Sequence, residues 1–432
     1  MEINEIIKNI EITDYTHEGL GITHVNDQVI FVYQGIKDEI LNIQIIKQHK
    51  KIYYAKIIDI VTPSKNRVNL ENIKVLPGCD LQHMSYEEQL RFKETSFKTT
   101  LQKNKLDIKV STIIAAPDKL RYRNKITFSF FKKQNILYLG MKKEKTNQII
   151  KIENCYLISK EMNSVKDEIL KQLNLLNHKV ENNLKLRQLI IKENTKNEYL
   201  IIIETDLNSI DIFSNYFEQN KIAKIKALYI KNKNNKLKDI YQQKFIQGLN
   251  ELSFIISPNA FFQVNTKQTL NLYEAVVQQI TKSNSILLDA YCGSGTIGQY
   301  VSKKVEKVVG IEVNQEAIKD AKANAKLNKI TNCEYIQGDI NKEIATIYQK
   351  YNNYFDIVVV DPPRKGIAKK FIQILNEFKP EEIIYISCQP STLVRDLKLL
   401  QDNYTITFMQ QYDMFPQTHH VETVVSLSRR NK

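Results

Sequence analysis

Tryptophan is absent from the 432 residues, and cysteine (5), proline (9) and glycine (12) are sparse. No apolar run reaches the roughly 18 residues that a membrane-spanning helix needs, so no span is expected. The opening stretch, MEINEIIKNIEITD, carries acids and lacks an apolar core. That excludes a secretory signal and points to a soluble, cytoplasmic protein. The five cysteines, at 79, 155, 292, 333 and 388, are scattered without close pairing and read as free thiols rather than a disulfide framework. His419 and His420 have no partner at zinc spacing, so no metal site is expected. With 42% hydrophobic and 25% charged residues the composition is that of a globular protein, which excludes extensive disorder. The length predicts two or three domains.

What the chain has in excess is positive charge, +14 overall, and its location is informative. Residues 101–250 hold 29 Lys and Arg against 15 Asp and Glu; within them, residues 101–150 hold 12 against 3. Residues 1–100 and 251–432 are close to balanced, at 12 against 14 and 21 against 19. A compositional bias toward lysine would spread it evenly. A field confined to the middle of the chain fits a polyanion-binding surface. Arg121, Arg123 and Lys125 lead the phosphate-gripping candidates, with Lys119, Lys132, Lys133, Lys142 and Lys143. Tyr122, Phe128, Phe130 and Phe131 lie among them as possible stacking groups or core.

Three patterns divide the chain. Residues 1–62 carry short alternating runs around 10–13, 28–32, 41–45 and 54–58, with Gly19 and Gly21 marking a turn, and predict a small β-barrel. This segment holds 6 basic against 9 acidic residues, so a polyanion contact there cannot rest on net charge. Residues 63–250 mix helix and strand and predict an α+β domain. Ser85 with Glu88 opens a helix in capping-box spacing, 122–128 and 149–157 read as strands, and 161–195 reads as helix. Strands are also predicted at 199–204 and 225–230. From 251 to 432 strand-like runs at 285–289, 308–311, 357–360 and 383–386 alternate with helical stretches, the pattern of an α/β domain with a parallel sheet.

Chemistry concentrates in that last third. Asp289-Ala-Tyr-Cys-Gly-Ser-Gly-Thr-Ile-Gly298 sets glycines at 293, 295 and 298 after a strand and before a helix, and Glu312 ends the next strand. Such a turn lets backbone approach a nucleotide, and the acid takes ribose hydroxyls. A nicotinamide cofactor remains a rival on this pattern alone. Asp289, an acid leading into the turn, suits a cationic cofactor better than a pyrophosphate. Asp361-Pro-Pro-Arg364-Lys-Gly follows a further strand. Ser387-Cys388-Gln-Pro-Ser-Thr-Leu-Val-Arg-Asp396 sets a thiol at a strand end, and Asp413-Met-Phe-Pro-Gln-Thr-His-His-Val-Glu422 closes on a carboxylate. Generically Cys388 would be a packing residue, as Cys292 is read to be.

Together these segments resemble the RNA uracil-C5 methyltransferases over nearly the whole chain. The thiol segment is similar to the family's Ser-Cys-Asn-Pro-x-Thr-x-x-Arg-Asp, with Gln389 in place of Asn. The resemblance implies a class I, Rossmann-like methyltransferase domain using S-adenosylmethionine, preceded by an OB-like TRAM barrel and the central α+β domain. It implies Cys388 as nucleophile and Glu422 as base. Gln263, Tyr291, Glu312 and Asp361, with Asp289, Gly293 and Gly295, would hold the cofactor, and Phe261 and Arg364 would meet the substrate. Arg364 or Lys365 would lower the thiol pKa. The TRAM-like segment favours 23S rRNA as substrate over tRNA; a non-catalytic RNA-binding protein is the alternative. No membrane or obligate protein partner is implied. Many relatives hold a [4Fe–4S] cluster on four cysteines. Around residues 72–79 and 155 only Cys79 and Cys155 remain, so no cluster is expected.

Overall fold

The computed structural model describes all residues except 70–74, 144–145, 182, 353 and 431–432. Two compact units emerge: Met1–Lys119 with Asp413–Val421, and Leu120–Tyr412 with Glu422–Lys432. Residues 72–74 of the expected cluster region lie outside the described residues. Among the described residues no helix is long and apolar enough to cross a membrane.

The first unit contains β1 (Ile6–Glu11), β2 (Asp14–Tyr15), β3 (Gly21–Val25), β4 (Gln28–Tyr33), β5 (Ile40–His49), β6 (Ile52–Thr62) and α1 (Tyr86–Lys103). The strands form one sheet in the order β1-β5-β6-β4-β3-β2. Alternation in β4 and β5 turns Ile30, Val32, Leu41, Ile43 and Ile45 inward, all fully buried with Ile12 and Ala55. Gly19, at φ +83°, makes the turn before β3. Ser85 caps α1, its hydroxyl accepting from the Glu88 N–H at 3.3 Å. The Glu88 carboxylate does not complete a capping box; it takes Tyr15, Asn66 and Arg91 instead. The Asp413–Val421 segment packs within this unit on α1. Lys93 Nζ bonds Asp413 Oδ1 (2.5 Å) and the Phe415 carbonyl (3.1 Å), and Tyr86 Oη donates to Asp413 Oδ2 (2.8 Å).

The second unit opens with β7 (Lys125–Lys133), β8 (Ile136–Lys142), β9 (Ile149–Lys151), α2 (Lys160–Lys179), β10 (Leu186–Glu193), β11 (Tyr199–Thr205), α3 (Asp211–Gln219), β12 (Ile225–Lys231) and β13 (Leu237–Gln242). Their sheet runs β13-β12-β11-β10-β7-β8-β9. Three predicted spans are corrected. The strand expected over 122–128 begins at Lys125 and runs to Lys133, Arg123 forming an isolated bridge to Asn265 before it. The helix expected over 161–195 ends at Lys179, Glu181 turns at φ +51°, and β10 follows with Leu189 and Ile191 in the core. The strand expected over 149–157 stops at Lys151, because the chain then winds around Asn163, whose side chain bonds both Cys155 N (2.9 Å) and Cys155 O (2.9 Å).

After the hairpin β14 (Ile246–Leu249) and β15 (Leu252–Ile255) come α4 (Thr266–Gln279), β16 (Ile286–Ala290), α5 (Thr296–Val301), β17 (Lys307–Glu312), α6 (Gln315–Leu327), β18 (Cys333–Gln337), α7 (Ile340–Lys350), β19 (Ile357–Val360), α8 (Lys369–Phe378), β20 (Glu382–Ser387), α9 (Pro390–Leu400), β21 (Tyr404–Tyr412) and β22 (Glu422–Arg429). The sheet order is β18-β17-β16-β19-β20-β22-β21. Its first five strands are parallel, as the alternation predicts; β22 and β21 join antiparallel. β16, β19 and β20 are almost wholly buried, as parallel strands with helices on both faces must be. The strand order reverses beside β16, and the turns after β16, β19 and β20 therefore open at one edge, the usual crevice of such sheets.

Candidate active site

Asp289, at the end of β16, is fully buried. Its Oδ2 accepts from the Gly298 N–H at 2.9 Å, and its Oδ1 has no partner. Tyr291, Gly293 and Gly295 turn the chain through left-handed backbone at φ +66°, +53° and +76°. At Gly295 a Cβ would stand 2.6 Å from the Tyr335 hydroxyl, so only glycine fits. Cys292 packs with Ile318, Ala321 and Tyr335, as expected of a core thiol. Glu312 ends β17 and accepts from the Asn314 N–H at 2.8 Å.

The Asp361–Gly366 loop leaves β19 and is latched to α9. Thr392 Oγ1 donates to the Arg364 carbonyl (3.2 Å), and Arg395 Nη2 to the Lys365 carbonyl (2.9 Å). The fully buried Asp396 accepts from the Ile367 N–H (2.8 Å), the Tyr385 hydroxyl (2.8 Å) and Arg395 Nε (2.8 Å). Gly366 sits at φ +75°, where a Cβ would come within 2.5 Å of Asp396 Oδ2. So the Thr, Arg and Asp that follow the thiol fix the neighbouring loop. Their role needs two distant segments and is not visible in either alone.

Cys388 follows β20 and precedes α9, whose first residue, Pro390, is pre-set for a helix start. The thiol is partly accessible. Burial, then the charges of Glu422 and Asp361, push it up to about 11, against a lowering pull from Arg364. Arg364 thus pulls the thiol down as expected but is outweighed, since burial penalises the thiolate and two acids face it. Glu422, at the start of β22 and 5% exposed, is held well above the carboxylate range by burial and by Asp361. Burial raises Asp361 and Asp289 to about 7 each. Tyr273 of α4 bonds Thr296 across 3.0 Å and feels all three acids; nothing in the sequence singled it out. The structure therefore draws Cys388, Glu422, Asp361, Asp289, Glu312 and Arg364 into one electrostatic neighbourhood.

Gln263 is buried on the loop before α4, and its carbonyl accepts from Asn124 Nδ2 at 2.9 Å. Phe261, by contrast, is 67% exposed. Arg121, Arg123 and Lys125 form a separate group at the head of β7. Arg121 Nη1 donates to the Ile158 carbonyl (3.2 Å), Arg123 Nε is buried without a partner, and burial lowers the Lys125 ammonium pKa. Tyr122, Phe128 and Phe130 are core residues, leaving Phe131, stacked on Tyr138 at 5.5 Å, as the partly accessible ring. Lys132, Lys133, Lys142 and Lys143 are exposed, and Lys119 belongs to the first unit. Cys79 and Cys155 are both buried, and among the described residues no group of three or more His, Cys, Asp or Glu could hold a metal. His419 Nδ1 is 2.7 Å from Asp80 Oδ2.

The model of the tRNA (uracil-5-)-methyltransferase family matches residues 85–430. The chain belongs to that family. It is 33% identical to an RNA methyltransferase of Clostridium tetani across 97% of this chain and 96% of the relative, and 33% identical to one of Lactobacillus johnsonii across the full length of both. Among solved structures it is similar to the Pyrococcus abyssi tRNA (uracil-54, C5)-methyltransferase in complex with S-adenosyl-L-homocysteine, with a TM-score of 0.77, 26% identity and coverage of 97% and 99% of the two chains. The methyltransferase is thus an enzyme of RNA uracil-C5 methylation, built on the methyltransferase fold.

Proposed function

We propose that the enzyme methylates C5 of a uridine in RNA through a covalent bond between Cys388 and C6 of the base. The observation that carries this is one thiol at the end of β20 in the shared field of Glu422 and Asp361. S-adenosylmethionine is the methyl donor. The residues fit it: a buried Asp289 oxygen without a partner, further acids at Glu312 and Asp361, and left-handed backbone at Tyr291, Gly293 and Gly295 suit a cationic nucleoside. Gln263 joins them. When bound, the cofactor supplies an electrophilic methyl group.

C5 of uracil is too poor a nucleophile to take that methyl unaided. Cys388 gives its proton to solvent, adds through Sγ to C6 and drives the C5–C6 electron pair to C5. C5 then takes the methyl. Glu422, once ionised, removes the C5 proton, the pair returns to the ring, and the Sγ–C6 bond breaks, freeing 5-methyluridine and the thiolate. Asp361, on the latched loop, holds the base edge or the cofactor. Phe261 and Arg364 meet the RNA, and the target base must leave its stack to reach the thiol.

The six strands of residues 6–62 are read as a TRAM-like barrel, residues 63–250 as the RNA-gripping domain and 251–432 as the catalytic domain. The TRAM-like segment supports 23S rRNA as substrate; the tRNA named for the Pyrococcus abyssi neighbour supports the second reading. No [4Fe–4S] cluster is proposed, and the enzyme is read as cytoplasmic. Mapping 5-methyluridine in rRNA and tRNA from cells with and without the gene separates the two substrates. Loss from neither would refute both.

A further inference from the structure

β10 carries a lysine that is only 5% exposed. Lys192 Nζ donates to three main-chain carbonyls of one loop: Ser257 at 3.1 Å, Pro258 at 2.8 Å and Ala260 at 3.0 Å. An ammonium has three N–H donors, so the charged form satisfies all three and the neutral amine cannot. Two further anchors hold the same loop. Asp320 of α6 accepts from Ser257 N (3.2 Å) and Ser257 Oγ (2.6 Å), and Asn124 holds the Gln263 carbonyl. The loop is thus pinned at its start, middle and end. The pinned Ala260 and Gln263 are buried, while Phe261 between them is exposed.

Seating an ammonium in a protein interior costs more than an apolar side chain of similar volume would. Burial, then the like charge of Lys125 on β7, lowers the Lys192 pKa to about 7 against the opposite pull of Asp320, while the three carbonyls call for the charged form. The adjacent Glu193 is bonded to Ser159 and Tyr199. A chain that needed only to fill this space would not place a cation there.

We propose that Lys192 is a positioning residue: its ammonium, seated on the Ser257, Pro258 and Ala260 carbonyls, fixes the loop that presents Gln263 to the cofactor and Phe261 to the RNA. What the loop presents rests on the methyltransferase reading above; that Lys192 holds it does not. Lys192→Met fills the volume without the charge, and Lys192→Arg keeps the charge. In hydrogen exchange, residues 257–263 of K192M should exchange about tenfold faster than in the parent, with β16 and α9 unchanged. The KM for S-adenosylmethionine should rise about tenfold while kcat falls less than about threefold, and K192R should recover most of the loss.

A folded K192M with loop exchange and KM within about twofold of the parent would overturn the proposal. So would exchange that rises evenly through the whole unit, the mark of a merely structural lysine. If K192M does not fold, Lys192→Gln keeps two donors and should give an intermediate loop exchange; parental values there overturn the proposal equally. A loosened loop in K192M combined with an unchanged KM in Gln263→Ala supports the anchoring by Lys192 and removes only the cofactor role of Gln263.

Discussion

The Cys388 thiol is held back from ionising. With the thiol raised to about 11 by burial and by Glu422 and Asp361, little thiolate exists near neutral pH. Its alkylation by iodoacetamide should climb roughly tenfold per pH unit from 7 to 10, since only the thiolate reacts. Arg364→Ala should slow it at every pH in that range, because a cation that lowers the thiol is gone; an unchanged rate would mean Arg364 does not act on the sulfur. Gly366 offers a sharper steric test. Gly366→Ala puts a methyl against the Asp396 carboxylate at a left-handed position, and strain of this kind costs on the order of 1–3 kcal/mol. Thermal unfolding and kcat measured together should both drop. Cys388, Glu422, Asp361 and Asp289 were legible in the sequence because each sits in a distinctive run. Thr392, Arg395 and Asp396 stood in the same run, but their work on the Asp361–Gly366 loop depends on β19 and β20 lying side by side. Tyr273 and Lys192 had no sequence signal, since a helix tyrosine and a strand lysine look ordinary until their surroundings are known.

Elements were read well where periodicity was uninterrupted. β16, β17, β19 and β20 match their predicted runs to within a residue or two, and their parallel pairing follows from the helices between them. The failures fell where a local partner overrode the pattern, at the Glu181 turn that ends α2 and at the Asn163 bonds that wind the chain around Cys155. α1 shows a different kind of hidden feature. Lys93 and Asp413 have no exposed side-chain surface, and the pair ties α1 to a segment more than 300 residues away in sequence. Lys93→Met leaves Asp413 buried without its ammonium, and breaking such a pair typically costs about 3–5 kcal/mol. A urea titration should show the midpoint falling; a loss near zero would mean that Tyr86 alone compensates.

At the scale of the molecule, two fields matter. The basic excess of residues 101–150 predicts RNA affinity that falls steeply with salt. Replacing Lys132, Lys133, Lys142 and Lys143 by glutamine should lower the slope of log affinity against log salt by up to about one for each phosphate no longer gripped. An unchanged slope places the grip elsewhere. The acidic site acts on stability. Asp289 and Asp361 are raised from 3.8 to about 7, so in the folded state they stay protonated where the unfolded chain ionises. Their contribution is fully present below about pH 4 and is lost as pH rises to about 7. His83, buried and lowered to about 3, works oppositely below its ordinary 6.5. Asp361→Asn should therefore flatten the stability loss relative to the parent between pH 4 and 7, read from melting temperatures.

The chemistry itself is tested most directly with RNA carrying 5-fluorouridine. In the proposed mechanism a fluorine at C5 leaves no proton for Glu422 to remove, so the sulfur–carbon bond formed at C6 cannot break after methyl transfer. Mass spectrometry of the denatured enzyme should show one RNA fragment bound at Cys388, dependent on S-adenosylmethionine, and none on Cys388→Ala. A parental enzyme that methylates ordinary RNA yet never traps the fluorinated one, or a Cys388→Ala variant that methylates at the parental rate, would contradict covalent catalysis by this thiol.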